Sequence, residues 1–368
     1  MKVTFPHMGS ISIALEGLLT DLGLEVVVPP PITKKTINLG VLHAPEFACF
    51  PLKISLGNFI EGLEAGADTV VMVGGTGPCR LGYYAQVQKE ILRDLGYEFE
   101  MIVLEPPQGK VTDLTDELQK LCGSAGWAQM LRAVHTVWCK VKALDKLHAR
   151  SLQVRARELE PHAATKAYQE GLALLRQAKS PSAVRKQLQK GLALLNAVPQ
   201  DRQKTVLRLG LVGEIYMLLE PFANLEVERV LGEMGVEVER SLYLSDWIRE
   251  HLFLSSLRLK GGLATKKAAA PYLNNMVGGH GWESIGNTVR YAQRGYDGVI
   301  HILPFTCTPE IVAQSILPAV SQEQGIPVLS LSLDEQSGEA GIRTRLEAFL
   351  DLLQQRRKRR AAGLAYLT

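Results

Sequence analysis

The sequence predicts an α/β protein built from two duplicated, doubly wound parallel-sheet domains with a helical insert between them. Three observations carry this. Short strands alternate with helices in the first third of the chain and again in the last, the grammar of parallel sheets with right-handed crossovers. Between them, from Leu118 to about Ala197, the residues are mostly Ala, Leu, Gln, Lys and Arg, with apolar positions at helical spacing. Finally, Leu56-Gly57-Asn58 through Cys79 lays over Ile285-Gly286-Asn287 through Cys307. At 368 residues, 46% of them apolar, the chain can fill two cores of flavodoxin- or Rossmann-like type.

The elements follow in order. Lys2–Phe5 reads as a strand, and Gly9-Ser10 opens a helix with Ile13, Leu15, Leu18, Leu19 and Leu22 on its apolar positions. Gly23 closes that helix ahead of the strand Glu25–Val28. A helix is expected from near Ser55, then the apolar run Thr69–Val73 and a helix over Tyr84–Leu95. In the insert, Leu131, Val134, Val137, Trp138, Val141 and Leu144 mark the first of about three helices, broken near Glu160-Pro161 and Ser180-Pro181. Leu207–Met217 reads as a strand, Asn224–Met234 as a helix ended by Gly235, and Val236–Arg240 as a strand. A second helical patch follows, then the strand Val299–Leu303 and a helix over Glu310–Val320. Arg356–Arg360 reads as a solvated charge run. The domains expected are 1–118, 206–345, the insert 119–205 between them, and 346–368 as a C-terminal helix and basic tail.

The formal net charge of +3 is too small to indicate a nucleic-acid binder. Residues 121–204 nevertheless carry 15 Lys/Arg against 5 Asp/Glu, a basic face able to dock a partner. The opening segment shows no apolar leader, and no run approaches the ~18 apolar residues of a membrane span. A cytoplasmic protein without membrane or nucleic-acid partners is expected. Five cysteines in such a chain are thiols or metal ligands rather than disulfides, and no CxxC pair points to a zinc finger.

The duplication singles out the cysteines. Gly66-Ala67-Asp68 matches Gly295-Tyr296-Asp297, and Ala85-Gln86 matches Ala313-Gln314 beyond the cysteines. Cys49 lies eight residues before Gly57, where the second copy has Gly278. Two half-sites would thus offer two cysteines and one. Cys49, Cys79 and Cys307 all fall where strands of a doubly wound sheet deliver ligands, ahead of helices whose free N–H groups stabilise negative charge. A lone cysteine after a strand is ordinarily a small buried hydrophobe. Three at such positions favour a shared metal site. Cys122 and Cys139, in the insert, are assigned to packing.

The glycines of Gly74–Gly82 and Gly278–Gly286 resemble phosphate-cradling loops without completing the dinucleotide fingerprint, and no P-loop motif is present. Gly75, Gly77, Gly279 and Gly281 are read as points where backbone can approach an anionic cofactor or substrate. Glu46, His280 and Glu283 lie close to these loops in sequence and could protonate or hold a ligand.

His43-Ala-Pro-Glu-Phe-Ala-Cys-Phe-Pro51, Gly74-Gly-Thr-Gly-Pro-Cys-Arg80, Gly278-Gly-His-Gly281 and Pro304-Phe-Thr-Cys-Thr-Pro-Glu-Ile311 together resemble the activase-related branch of the 2-hydroxyacyl-CoA dehydratase superfamily. That superfamily includes dehydratase D-component-like subunits, benzoyl-CoA reductase subunits and double-cubane cluster proteins. The resemblance covers nearly the whole chain and is weakest across the insert. It implies an oxygen-sensitive iron–sulfur protein holding a [4Fe–4S] cluster by three cysteines, with one iron open. Carried onto this chain, they are Cys49, Cys79 and Cys307. A double cubane needs more cysteines than the five present, so only a dimer could hold one. The resemblance further implies an ATP-dependent iron–sulfur activator as electron donor, a paralogous subunit in a hetero- or homodimer, and an acyl-CoA or another small substrate. Two other readings stay open: a non-catalytic helper that delivers a cluster or electrons to a dehydratase, and a metal-free α/β binder of nucleotides or acyl phosphates using the glycine loops.

Overall fold

A computed structural model of the chain describes residues 1–74, 81–104, 126–250 and 261–362. The first part runs β1 (Lys2–Thr4), α1 (Ile11–Asp21), β2 (Glu25–Val26), α2 (Lys34–His43), α3 (Phe50–Glu64), β3 (Thr69–Val73), α4 (Leu81–Asp94) and β4 (Glu100–Leu104). Helices α5 (Trp127–Arg155), α6 (Ala163–Arg176) and α7 (Pro181–Ala197) follow. The last part runs β5 (Leu207–Gly213), α8 (Ile215–Leu219), α9 (Val227–Glu233), β6 (Val236–Arg240), α10 (Leu244–Ile248), α11 (Leu263–Ala269), α12 (Gly281–Gln293), β7 (Gly298–Pro304), α13 (Thr308–Gln324), β8 (Val328–Leu333) and α14 (Glu339–Ala361).

The strands make two four-stranded, wholly parallel sheets with one topology, β2-β1-β3-β4 and β6-β5-β7-β8. In each, the strand order reverses beside the first strand, between β1 and β3 or between β5 and β7. That reversal opens a crevice at the carboxyl ends, where α/β sheets bind ligands. The chain divides into two compact units. The first comprises residues 1–148, 168–194 and 243–262, the second 149–167, 195–242 and 263–368.

In the first unit, Val3, Phe5, Leu19, Val71 and Ile102 fill one face of the sheet. Leu56, Phe59, Ile60, Val70, Met72 and Leu92 fill the other. Helix α3 is buried along almost its whole length, because α2 crosses it closely. The crossing depends on Gly57, where a Cβ would stand 2.0 Å from the Thr36 carbonyl oxygen. In the second unit α11 crosses α12 by the same device, a Cβ on Gly286 falling 2.2 Å from the Thr265 carbonyl oxygen. The repeated Gly-Asn is therefore a helix-crossing motif, and its copies extend back to Ser55 and Ser284.

Several elements differ from their sequence reading. Helix α3 begins directly after Cys49 rather than near Ser55, because Pro51 fits the first helical turn. Ser55 lies inside the helix, its hydroxyl donating back to the Pro51 carbonyl. Strand β5 ends at Gly213, whose φ of 145° turns the chain so that Glu214 caps α8. Helix α9 starts at Val227, whose N–H is accepted by the Asn224 side chain. The charge run Arg356–Arg360 continues α14, and it is not merely solvated. Arg356 donates to the Gly325 carbonyl at 2.6 Å and Arg357 to the Val206 carbonyl at 3.1 Å. No helix among the described residues is long and apolar enough to cross a membrane.

Candidate functional site

Cys307 and Cys49 occupy the same local position. Cys307 is the N-cap of α13, with Pro309 in the first turn; Cys49 is the N-cap of α3, with Pro51 in the first turn. Both carbonyls start their helices, accepting from Ile311 at 2.9 Å and from Leu52 at 3.0 Å. The Cys-x-Pro pattern explains this, since proline sets a helical φ and needs no donor in the first turn. Each cysteine thus stands at the positive end of a long helix, which favours an anionic ligand or a thiolate.

The turn that delivers Cys307 is strained. Between β7 and α13, Thr306 adopts φ 71°, a left-handed conformation that β-branched residues rarely hold. Such a residue costs on the order of 1–3 kcal/mol, and the surroundings must enforce it. Here the Phe305 N–H is fixed to the Leu333 carbonyl and the Cys307 N–H to the Pro304 carbonyl. Cys49 is buried, and its Sγ is hydrogen-bonded to the Tyr84 hydroxyl. Two residues before each cysteine a phenylalanine faces outward, Phe47 at 76% exposure and Phe305 at 60%.

Cys79, Gly75 and Gly77 lie outside the described residues, as does Cys122. Cys139 is half-buried on α5. Among the described residues, to which Cys79 does not belong, no three His, Cys, Asp or Glu side chains gather in a metal-binding group. Gly278 and Gly279 both have positive φ, 85° and 48°, and lead into His280, the N-cap of α12. Gly281 opens that helix so close to the Cys307 loop that a Cβ would stand 2.3 Å from the Pro309 carbonyl oxygen. The glycine loop is thereby held against the start of α13. Glu283 lies half-buried in the first turn of α12, whereas Glu46 is exposed.

A polar network beneath this loop has no counterpart in the sequence reading. Glu310, three residues past Cys307, is fully buried. Its Oε2 lies 2.8 Å from His301 Nε2 and accepts the Ser284 hydroxyl at 2.9 Å. The other ring nitrogen of His301 lies 3.2 Å from the Ser330 hydroxyl. Glu310 Oε1 is buried with no hydrogen-bond partner among the described residues. Glu214, at the carboxyl end of β5, is partly exposed yet densely surrounded. Loss of water pushes its carboxyl up to about 7, the Met217 and Tyr216 N–H groups opposing and the Glu310 carboxylate adding to the push. Burial, then Glu220 and Glu214, hold the Tyr216 phenol well above its usual range. A histidine inside an apolar strand and a Cys-x-x-Glu spacing were the only signals of this network in the sequence.

Residues 283–353 match the family model of the 2-hydroxyglutaryl-CoA dehydratase D-component. The match covers about a fifth of the chain, running through α12, β7, α13 and β8 into α14, and includes Ser284, His301, Cys307 and Glu310. It supports the resemblance to the 2-hydroxyacyl-CoA dehydratase D-component superfamily, and with it a component related to acyl-CoA dehydratases. No curated protein matches the chain.

Proposed function

We propose that the chain is an iron–sulfur subunit whose Cys49, Cys79 and Cys307 hold a [4Fe–4S]-type cluster, or share a larger one in a dimer. It accepts low-potential electrons from an ATP-dependent activator for a difficult reduction or its relay. The observation that carries this reading is the shared cap geometry of Cys49 and Cys307, which come from different positions of the repeat. Each caps a long helix behind a Cys-x-Pro turn, and Cys307 lies within the dehydratase D-component match.

The residues fit such a group chemically. Thiolates are the ligands iron–sulfur clusters take, and the helix starts supply the positive potential that stabilises them. A cluster held by three thiolates supplies one-electron chemistry and an open iron for a ligand. The chain's own part is to fix the sulfurs: the strained Thr306 turn aims Cys307, and the Tyr84 hydroxyl holds Cys49. The reading also includes a paralogous subunit beside this one, and an acyl-CoA or another small substrate.

Iron and sulfide content with EPR, on protein purified without oxygen alone and with its paralogous partner, tests the proposal. About four irons per chain, lost in Cys79→Ser and Cys307→Ser, is the expected result. Absence of iron in both preparations overturns it. A spectral change on adding acyl-CoA thioesters would separate a catalytic subunit from a relay.

A further inference from the structure

The second unit carries a cluster of cations that its carboxylates do not fully offset, at the other end of the sheet from Cys307. We propose that the cleft between the end of α5, the loop after α7 and the start of β6 binds a small molecule through a phosphate or diphosphate group. The cleft has a volume of about 420 Å³ and is lined by Arg150, Gln153, Arg157, Gln200, Arg202 and Glu237. All six belong to the second unit.

The charges do not cancel. Arg157 pairs with Glu237 at 2.6 Å, and Arg208 approaches the other oxygen of the same carboxylate at 4.0 Å. One carboxylate thus serves two guanidinium groups. Arg150 is held by neutral groups only, its Nε donating to the Asn196 side-chain oxygen at 2.9 Å and its Nη1 to that of Gln153 at 3.1 Å. Arg202 is exposed and makes no hydrogen bond or ion pair among the described residues. Its neighbour Asp201 is already occupied, the carboxylate accepting the N–H groups of Gln203 and Lys204 at 3.0 and 3.1 Å. Three lining arginines against one glutamate leave an excess of two positive charges in the cleft.

The frame is fixed by the backbone. The Asp201 N–H donates to the Arg157 carbonyl at 2.9 Å and the Leu159 N–H to the Pro199 carbonyl at 3.0 Å. The loop that carries Gln200 and Arg202 is thereby fastened to the end of α5. Glu237 is held in β6, where it pairs with Arg208 of β5. Guanidinium forks present paired donors that match phosphate oxygens, and the amides of Gln153 and Gln200 add neutral ones. No apolar side chain lines the cleft, so the anion is what it recognises.

The occupant is not a reactant at Cys307. Strands β5, β6 and β7 run parallel. Arg208 and Glu237 are each the second residue of their strands, whereas Cys307 follows the carboxyl end of β7. The cleft therefore stands whether or not the protein holds iron.

Calorimetric titration of the full chain with inorganic pyrophosphate, in buffer free of phosphate and divalent cations, tests the site. One pyrophosphate per chain is expected, with affinity falling roughly 10-fold or more in Arg202→Ala and in Arg150→Ala. Arg202→Ala removes an exposed side chain and breaks no contact, so it reads binding rather than folding. Arg343→Ala, which removes an exposed arginine of α14 paired with Glu347, should leave the affinity unchanged. ADP should bind about as well as pyrophosphate, because its nucleoside has no apolar wall to pack on. Binding of ADP or of an oligoglutamate peptide without binding of pyrophosphate overturns the proposal, the peptide pointing to an acidic protein partner instead. Absence of binding at about 1 mM pyrophosphate, or an equal loss in Arg343→Ala, overturns it as well.

Discussion

Asp297 grips the peptide of Arg208 from both sides: its carboxylate accepts the Arg208 N–H at 2.8 Å, and its own N–H donates to the Arg208 carbonyl at 2.9 Å. Asp68 does the same to Lys2, at 2.7 and 2.9 Å. Each aspartate closes the loop ahead of the third strand and ties it to the start of the first. Asp297→Ala should cost about 1–2 kcal/mol in urea unfolding, because the Arg208 N–H loses its acceptor. Asp68→Ala should cost less, as water reaches its more exposed pair.

Gly281 is where the glycine loop meets the backbone of the Cys307 turn. Gly281→Ala places a Cβ against the Pro309 backbone, so α12 or the Cys307 turn must move, at about 1–3 kcal/mol. Gly341→Ala provides the contrast. That residue lies in α14 with nothing within 4 Å of its Cβ, and the change should stabilise by up to about 1 kcal/mol. Equal effects from the two substitutions, read from denaturant midpoints, would refute the close-approach account.

Glu214 makes stability depend on pH with a definite sign. Its carboxyl is at about 7 when folded against the ordinary 4.5, so the folded state holds a proton that the unfolded chain has released. Folding stability therefore falls as pH rises from 4.5 through about 7, then levels. Discounting for its partial exposure, the loss is about 2 kcal/mol. Glu214→Gln should flatten this part of the profile, and thermal melts at pH 5, 6, 7 and 8 would detect a slope that remains.

Arg240 and Glu228 form a two-pronged ion pair at 2.9 and 2.5 Å, both side chains buried. Arg240→Met leaves a buried carboxylate without its guanidinium and should cost about 3–5 kcal/mol. Removing both charges in Arg240→Met/Glu228→Leu should recover most of that loss. A double variant as unstable as the single would show that the pair acts through shape rather than charge.

Much of the architecture was legible in the sequence because it rests on local signals. Gly23 and Gly235 at the ends of helical runs marked the alternation, and the breaks near Pro161 and Pro181 fall at the joins of α5, α6 and α7, Pro181 opening α7. The start of α3 was misplaced because serine ordinarily marks a helix start, while Phe50-Pro51 behind Cys49 looked like loop. The duplication pointed to Cys307, and the cap position of Cys49 is one that its sequence spacing from Gly57 does not reveal. The Ser284–Glu310–His301 network stayed hidden because its members are dispersed over α12, α13 and β7, and only tertiary packing joins them. A second repeat also went unread. Gly171 and Gly191 sit in identical Gly-Leu-Ala-Leu runs and meet over Leu147, where a Cβ on Gly171 would stand 2.8 Å from a methyl carbon.

The two helix crossings share their glycine and threonine and differ in charge. The Thr36 hydroxyl donates to Glu61, while the Thr265 hydroxyl accepts from Arg290, and both charged residues stand four places after their glycine. Glu61 also lies 3.9 Å from the Lys35 ammonium, so an arginine in its place would meet a cation instead. Having drifted to opposite signs, the two halves are no longer interchangeable parts. A second-copy helix placed in the α2–α3 seam would set an arginine beside Lys35 and leave the Thr36 hydroxyl without its carboxylate acceptor.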